Sequence, residues 1–135
     1  MQYSTEFSAL LDARAGLLWQ MDFCFIAAAC ACAVPAFRTR RAWLALVLAI
    51  VGSAIASMVA DRLLENWWLN LEAAVSTPTD REWLAQHDGG RLMGGLVLLM
   101  KAGLCFFVII VAAWIGRLWR GRQSQKPQLG TASAA

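Results

Sequence analysis

Histidine and tyrosine occur once each in the 135 residues, proline three times, and charged side chains make up only 16% of the chain. Each shortage closes off a class of function. With His87 as the single histidine, the chain cannot hold a haem between two histidines of its own. His87 stands beside Asp88, but no nucleophile or second base recurs nearby, and the pair reads as a solvated helix end, where the negative pole favours a histidine. The paired C-x₂₋₄-C arms of a structural zinc site are missing. Cys24, Cys30, Cys32 and Cys105 all fall within apolar runs, where cysteine serves as a small buried hydrophobe. Cys30 and Cys32 point about 200° apart around a helix, so one helix cannot chelate with both. Gly89-Gly90 and Gly94-Gly95 lack the strand and lysine that make a phosphate-binding loop. Nucleic-acid binding is not expected, because the net charge of +3 reflects one flank rather than a broad basic face. No cofactor, no metal and no enzymatic activity are expected.

What the chain has in quantity is apolar surface. Hydrophobic residues reach 59% and the mean hydropathy is +0.53. An average soluble domain is about 45–50% apolar and about 25% charged, and a disordered chain is more polar still. The surplus points to lipid. About 20 mostly apolar residues cross the roughly 30 Å hydrocarbon core as a helix, and three such runs are present, at residues 15–37, 42–60 and 92–116. The expected fold is therefore an all-α, integral membrane three-helix bundle, with an additional amphipathic helical segment on the outer side. Residues 38–41 form a tight basic turn between the first two spans, and Pro35 just before them suits the end of a helix.

Positive side chains are retained on the cytoplasmic side of a membrane. Arg38, Arg40, Arg41, Arg117, Arg120, Arg122 and Lys126 share one side, against Arg14, Arg62, Arg81 and Arg91 on the other. This places the N-terminus outside and the C-terminus in the cytoplasm of a bacterial-type inner membrane. Glu6 and Asp12 against Arg14 alone make a poor signal-peptide n-region, so the first span is expected to be retained. Arg38, Arg40, Arg41, Arg117, Arg120 and Arg122 are candidates for lipid headgroups. Residues 117–135 form a basic tail, polar and aperiodic beyond Gly121, which is expected to be disordered.

Outside the spans, residues 1–14 read as a short helical preface, with Ser4 or Thr5 as cap and Phe7, Leu10 and Leu11 at helical spacing. In residues 61–91, Leu64, Trp67, Trp68, Leu71 and Val75 recur at three and four, the pattern of an amphipathic helix continuing past the membrane. Trp67, Trp68, Leu71 and Trp83 are expected to rest on headgroups or on a docking partner. Pro78 is read as a breaker, with Thr79 and Glu82 as the capping box of a second short helix.

The spans also contain polar residues. An ionised group at the centre of a span costs about 2.5–3.5 kcal/mol on insertion scales and usually has a partner or a function. Asp22 lies seven residues inward from Ala15 and Lys101 nine inward from Leu92, roughly 10 and 14 Å deep at 1.5 Å per residue. With Gln20, Ser53 and Ser57 they compose a polar cluster that three packed helices can close. Asp22 then pairs with Lys101, with a cation on another subunit, or with a transported ion. Gly52 with Ala56, and Ala112 with Gly116, are small-xxx-small pairs suited to close helix packing.

These features favour a small non-catalytic inner-membrane protein, an accessory, stabilising or assembly subunit of a larger complex, whose partners are the lipid bilayer and other integral membrane subunits. The alternatives are a self-assembling pore or holin-like protein, and a small oligomeric transporter with Asp22 as coupling acid.

Overall fold

The computed structural model describes the backbone of residues 2–133 and the side chains of residues 2–125. Among the described residues there is no strand. Five helices follow one another: α1 (Thr5–Asp12), α2 (Arg14–Arg38), α3 (Ala42–Ala73), α4 (Pro78–His87) and α5 (Gly89–Ser133). Ser4 caps α1 from an extended conformation, its side chain accepting from the Phe7 amide. The join to α2 is almost continuous, since Ala13 donates to Ala9 O at 3.0 Å and Leu17 donates to Ala13 O at 3.1 Å. Pro35 falls in the last turn of α2, where one missing amide costs little, and Thr39 closes the helix by donating to Pro35 O at 2.9 Å.

Three stretches, Thr5–Arg38, Ala42–Ala73 and Gly89–Gln125, are long and apolar enough to cross a membrane. At 1.5 Å per residue the 32 residues of α3 reach about 48 Å, well beyond a hydrocarbon core of about 30 Å. The 13 residues after Ala60 are therefore more than one crossing needs.

α2, α3 and α5 pack on one another along a shared core. α3 contributes Ala45, Ala49, Gly52, Ala56 and Ala60, buried at spacings of three and four that make one stripe of minimal side chains. Against it lie Met21, Phe25 and Ala36 from α2, and Leu98, Cys105, Ile109 and Ala113 from α5. The small stripe brings backbones close, the usual device where the surroundings are as apolar as the interface. A Cβ at Gly52 would lie 2.6 Å from Cys32 Sγ, and one at Gly116 would be 2.9 Å from the Phe37 carbonyl carbon. Ala56 is buried beside them and Ala112 half-buried. The core is thin: only 17%, 28% and 22% of the most apolar window in the three stretches is buried. Trp19, Phe23, Met58 and Leu92 are each 70% exposed or more, so the outer faces of the bundle are as greasy as its interior.

A second core closes the end of the bundle that carries α4. Phe7, Trp67, Trp68 and Leu71 are buried there, with Leu10, Leu11, Trp83 and Leu84 packed around them. We call this unit, built from α1, the end of α3 and α4, the head.

Two expectations about local structure are corrected. The capping box of α4 is Thr77 with Asp80, not Thr79 with Glu82. Pro78 opens the helix at its first position, where a missing amide costs nothing, and it holds Thr77 extended (φ −112°, ψ 158°) as a cap requires. The second correction concerns the tail, since the α5 backbone remains helical through Gly121 to Ser133, where disorder was expected. Adding a residue to an existing helix is far easier than nucleating one, so an aperiodic polar stretch can continue α5.

Candidate functional site

On α5, Leu98, Lys101, Cys105 and Ile109 recur at three and four, which puts Lys101 on the face that packs against α2. On α2, Asp22 follows the buried Met21 and precedes the buried Phe25 by three. The two helices thus present opposite charges to one seam, and Lys101 Nζ donates to Asp22 Oδ1 in an ion pair. The side chains are 26% and 46% exposed, so the pair sits at the edge of the seam rather than inside it.

The other members of the expected cluster are not brought to it. Gln20 is two residues from Asp22, about 200° around the helix, and stands exposed beside Trp19, Phe23 and Leu63 on the opposite flank. The Ser53 hydroxyl donates to Ala49 O of its own helix at 2.7 Å, the usual resolution for a serine inside a helix. Ser57 is half-buried near Asp61, Gly95 and Leu98. The cluster of five is therefore an ion pair plus three separate polar residues. Among the described residues no buried side-chain nitrogen or oxygen is left without a hydrogen-bond partner.

The head is organised by Asp80, which is fully buried. Its Oδ1 accepts from the Ser4 amide at 3.2 Å, and its Oδ2 from the Ser76 and Thr77 amides at 3.1 and 3.0 Å. The Asp80 amide in turn donates to Thr77 Oγ1 at 3.2 Å. Burial pushes this carboxyl up, but the bonds from Ser76, Thr77 and Ser4 stabilise the charged form more and hold its pKa at about 2. One carboxylate so fastens the N-terminal segment, the α3–α4 turn and the first turn of α4.

Above this hub, Trp67 Nε1 donates to Leu10 O at 2.9 Å. Phe7 meets the Trp83 ring edge-on at 5.6 Å, Trp67 and Trp68 meet at 5.2 Å, and Trp83 stacks on His87 at 4.1 Å. Arg91 spans Glu72 at 3.2 Å and the face of Trp68 at 5.9 Å. Trp67, Trp68 and Leu71, expected to face headgroups or a partner, are instead consumed by the chain's own core, and Trp83 is half-buried. α1 shares this core through Phe7, Leu10 and Leu11.

No known protein family, curated protein or solved structure matches this chain. The residues themselves therefore carry the functional argument.

At the opposite end, Arg120 is drawn into the structure, donating to Phe37 O and, at 2.8 Å, to Thr39 O. It ties α5 to the α2–α3 turn and satisfies carbonyls at the negative pole of α2. Arg38, Arg40, Arg41, Arg117 and Arg122 remain exposed around it, and among the described residues no Asp or Glu lies at this end.

Sequence reasoning did not single out Asp80 and did not pair Phe7 with the tryptophans. For Asp80 a local signal existed: Thr77-Pro78-Thr79-Asp80 places a capping hydroxyl, a first-turn proline and an acid at the third helical position.

Proposed function

We propose that the chain is a multi-pass protein of a bacterial-type inner membrane, N-terminus outside, which acts non-catalytically as an accessory or assembly subunit of a larger membrane complex. The concentration of Arg38, Arg40, Arg41, Arg117, Arg120 and Arg122 at one end supports the orientation through the retention of cations on the cytoplasmic side. The exposed apolar flanks of the three long helices support a bilayer or other membrane helices as their surroundings.

The observation that carries the reading is the head. Joining two spans needs only a loop, yet here residues after Ala60 build a second core with an aromatic centre and a buried carboxylate hub. Such a unit holds the exposed face of α4, with Arg81, Glu82, Gln86 and Asp88, in one fixed orientation. A rigid platform of this kind suits docking to another subunit at low entropic cost. The Asp22–Lys101 pair fits the same reading as a fastener between α2 and α5, since each charge offsets the cost of placing the other in hydrocarbon.

Purification from the native membrane in mild detergent, followed by mass spectrometry, tests the proposal. Foreign integral membrane subunits in fixed stoichiometry are expected. Recovery of this chain alone, as a homo-oligomer, would refute the accessory role in favour of a pore or a transporter. Uptake abolished by Asp22→Asn in a protein that still assembles would single out the transporter.

A further inference from the structure

Between α2 and α5, directly beneath the head, a cleft of about 200 Å³ opens to the surroundings. Buried Met21, Trp67 and Trp68 form its floor. Leu18 on one side and Met93 and Val97 on the other are exposed at its walls. Its existence follows from the glycines that open α5. A Cβ at Gly90 would lie 3.3 Å from the Trp68 ring and one at Gly94 would be 2.8 Å from Leu64, so α5 lies with bare backbone against α3 here and leaves the α2 flank unfilled. One turn deeper along the same seam comes the Asp22–Lys101 pair, four residues on from Leu18 and from Val97.

The rim differs from the walls. Arg14, the first residue of α2, lines the top of the cleft, and no carboxylate is among its lining residues. Gly90, in the first turn of α5, lines the same level, a helix pole that favours negative charge. His87 is stacked on Trp83 with Nδ1 held at the Trp83 carbonyl, and closes the rim with an aromatic wall. The cleft thus offers apolar contact below and positive charge above.

Its size selects among ligands with those two properties. An apolar cavity of about 150 Å³ holds a benzene, whereas sites that enclose a whole small molecule run to about 300–1,000 Å³. The space therefore accepts a length of hydrocarbon chain but not an entire soluble ligand, and the rest of the occupant must remain in the surroundings. Counted from Ala15 and Leu92, Met21 and Val97 lie roughly 9 and 8 Å below the outer boundary of the hydrocarbon, which puts Arg14 at headgroup level.

We propose that the cleft binds one anionic phospholipid of the outer leaflet, an acyl chain seated against Met21, Trp67 and Trp68 and its phosphate held by Arg14. This rests on the membrane placement proposed above, but not on any partner subunit. The lipid fills the gap between the head and the α2–α5 seam, and so mortars the head onto the spans.

The test is native mass spectrometry of the purified full chain in detergent, titrated with dimyristoyl phosphatidylglycerol, with dimyristoyl phosphatidylcholine, and with glycerol 3-phosphate, which lacks acyl chains. One retained phosphatidylglycerol is expected, favoured over phosphatidylcholine by about tenfold, because both carry the phosphate that Arg14 holds but only choline brings a second cation to the rim beside Arg14. Arg14→Gln should bring the two lipids to near parity. Val97→Trp, which plugs the wall, should lower retention of both, with Met93→Trp as a second plug and circular dichroism confirming that each variant is folded. Equal retention of the two lipids by the unaltered chain would overturn the proposal. So would retention undiminished in folded plugged variants, or displacement by glycerol 3-phosphate, which would mark a site for free phosphate. Lipid retention by a chain that purifies without foreign subunits would defeat the accessory role alone, whereas a chain soluble without detergent would defeat the membrane placement on which both rest.

Discussion

Replacing Lys101 by methionine keeps the length of the side chain and removes its charge, leaving the Asp22 carboxylate without its partner on the α2–α5 seam. On the membrane placement proposed above, that carboxylate lies roughly 10 Å into the hydrocarbon, where an unpaired charge costs up to about 2.5–3.5 kcal/mol at the span centre. Asp22 lies above the centre of the span, where the penalty is largest, so we expect about 2 kcal/mol for Lys101→Met. Asp22→Asn should cost less, about 1 kcal/mol, because the four-carbon stem of Lys101 lets its ammonium snorkel toward the interface while a short aspartate cannot. The double variant removes both charges and should be more stable than Lys101→Met alone, giving a coupling energy of about 2 kcal/mol. Reversible unfolding in mixed micelles, followed as denaturing detergent is titrated in, measures all four corners of this cycle. Strictly additive losses would show that the two charges do not stabilise each other, and the fastening role would fall with them.

Two further outcomes follow from the packing and the hub. Gly116→Leu drives a side chain into the Phe37 backbone and should destabilise by about 1–3 kcal/mol, whereas Gly103→Ala, which meets nothing within 4 Å, should gain up to about 1 kcal/mol from helix propensity in the same unfolding assay. The pKa of Asp80 is lowered from 3.8 to about 2, so its contribution to the head is fully present above pH 3.8 and is lost as pH falls toward 2. Near-ultraviolet circular dichroism of the buried tryptophans should weaken over that window, and Asp80→Asn should show the weakened signal at neutral pH; a signal unchanged in both would remove Asp80 from the role of hub.

The long-range organisation was legible where it depends on composition along one helix. The apolar runs at 15–37, 42–60 and 92–116 coincide with the interiors of α2, α3 and α5, because hydrocarbon length is a one-dimensional property of the chain. Asp22 and Lys101 were legible as well, since their depths can be counted from the ends of their spans. Azimuth was harder. Gln20 shares a depth with Asp22 but not a face, and Ser53 turns back to its own backbone. The head was the least visible, because the core that takes up Trp67 and Trp68 is shared with Phe7, Leu10 and Leu11, nearly sixty residues earlier, and no local pattern announces such a partner. Without it, an amphipathic stripe of tryptophans reads as an interfacial surface.

The bond from the Ser4 amide to Asp80 joins residues 76 positions apart, and Trp67 reaches back 57 to the carbonyl of Leu10. The segment that carries Phe7 must therefore wait, uncovered, until the chain has been made through Asp80. Closure of the head is thus a late step, and a bulky insertion beside Ser4 should burden it more than one beside Ser124.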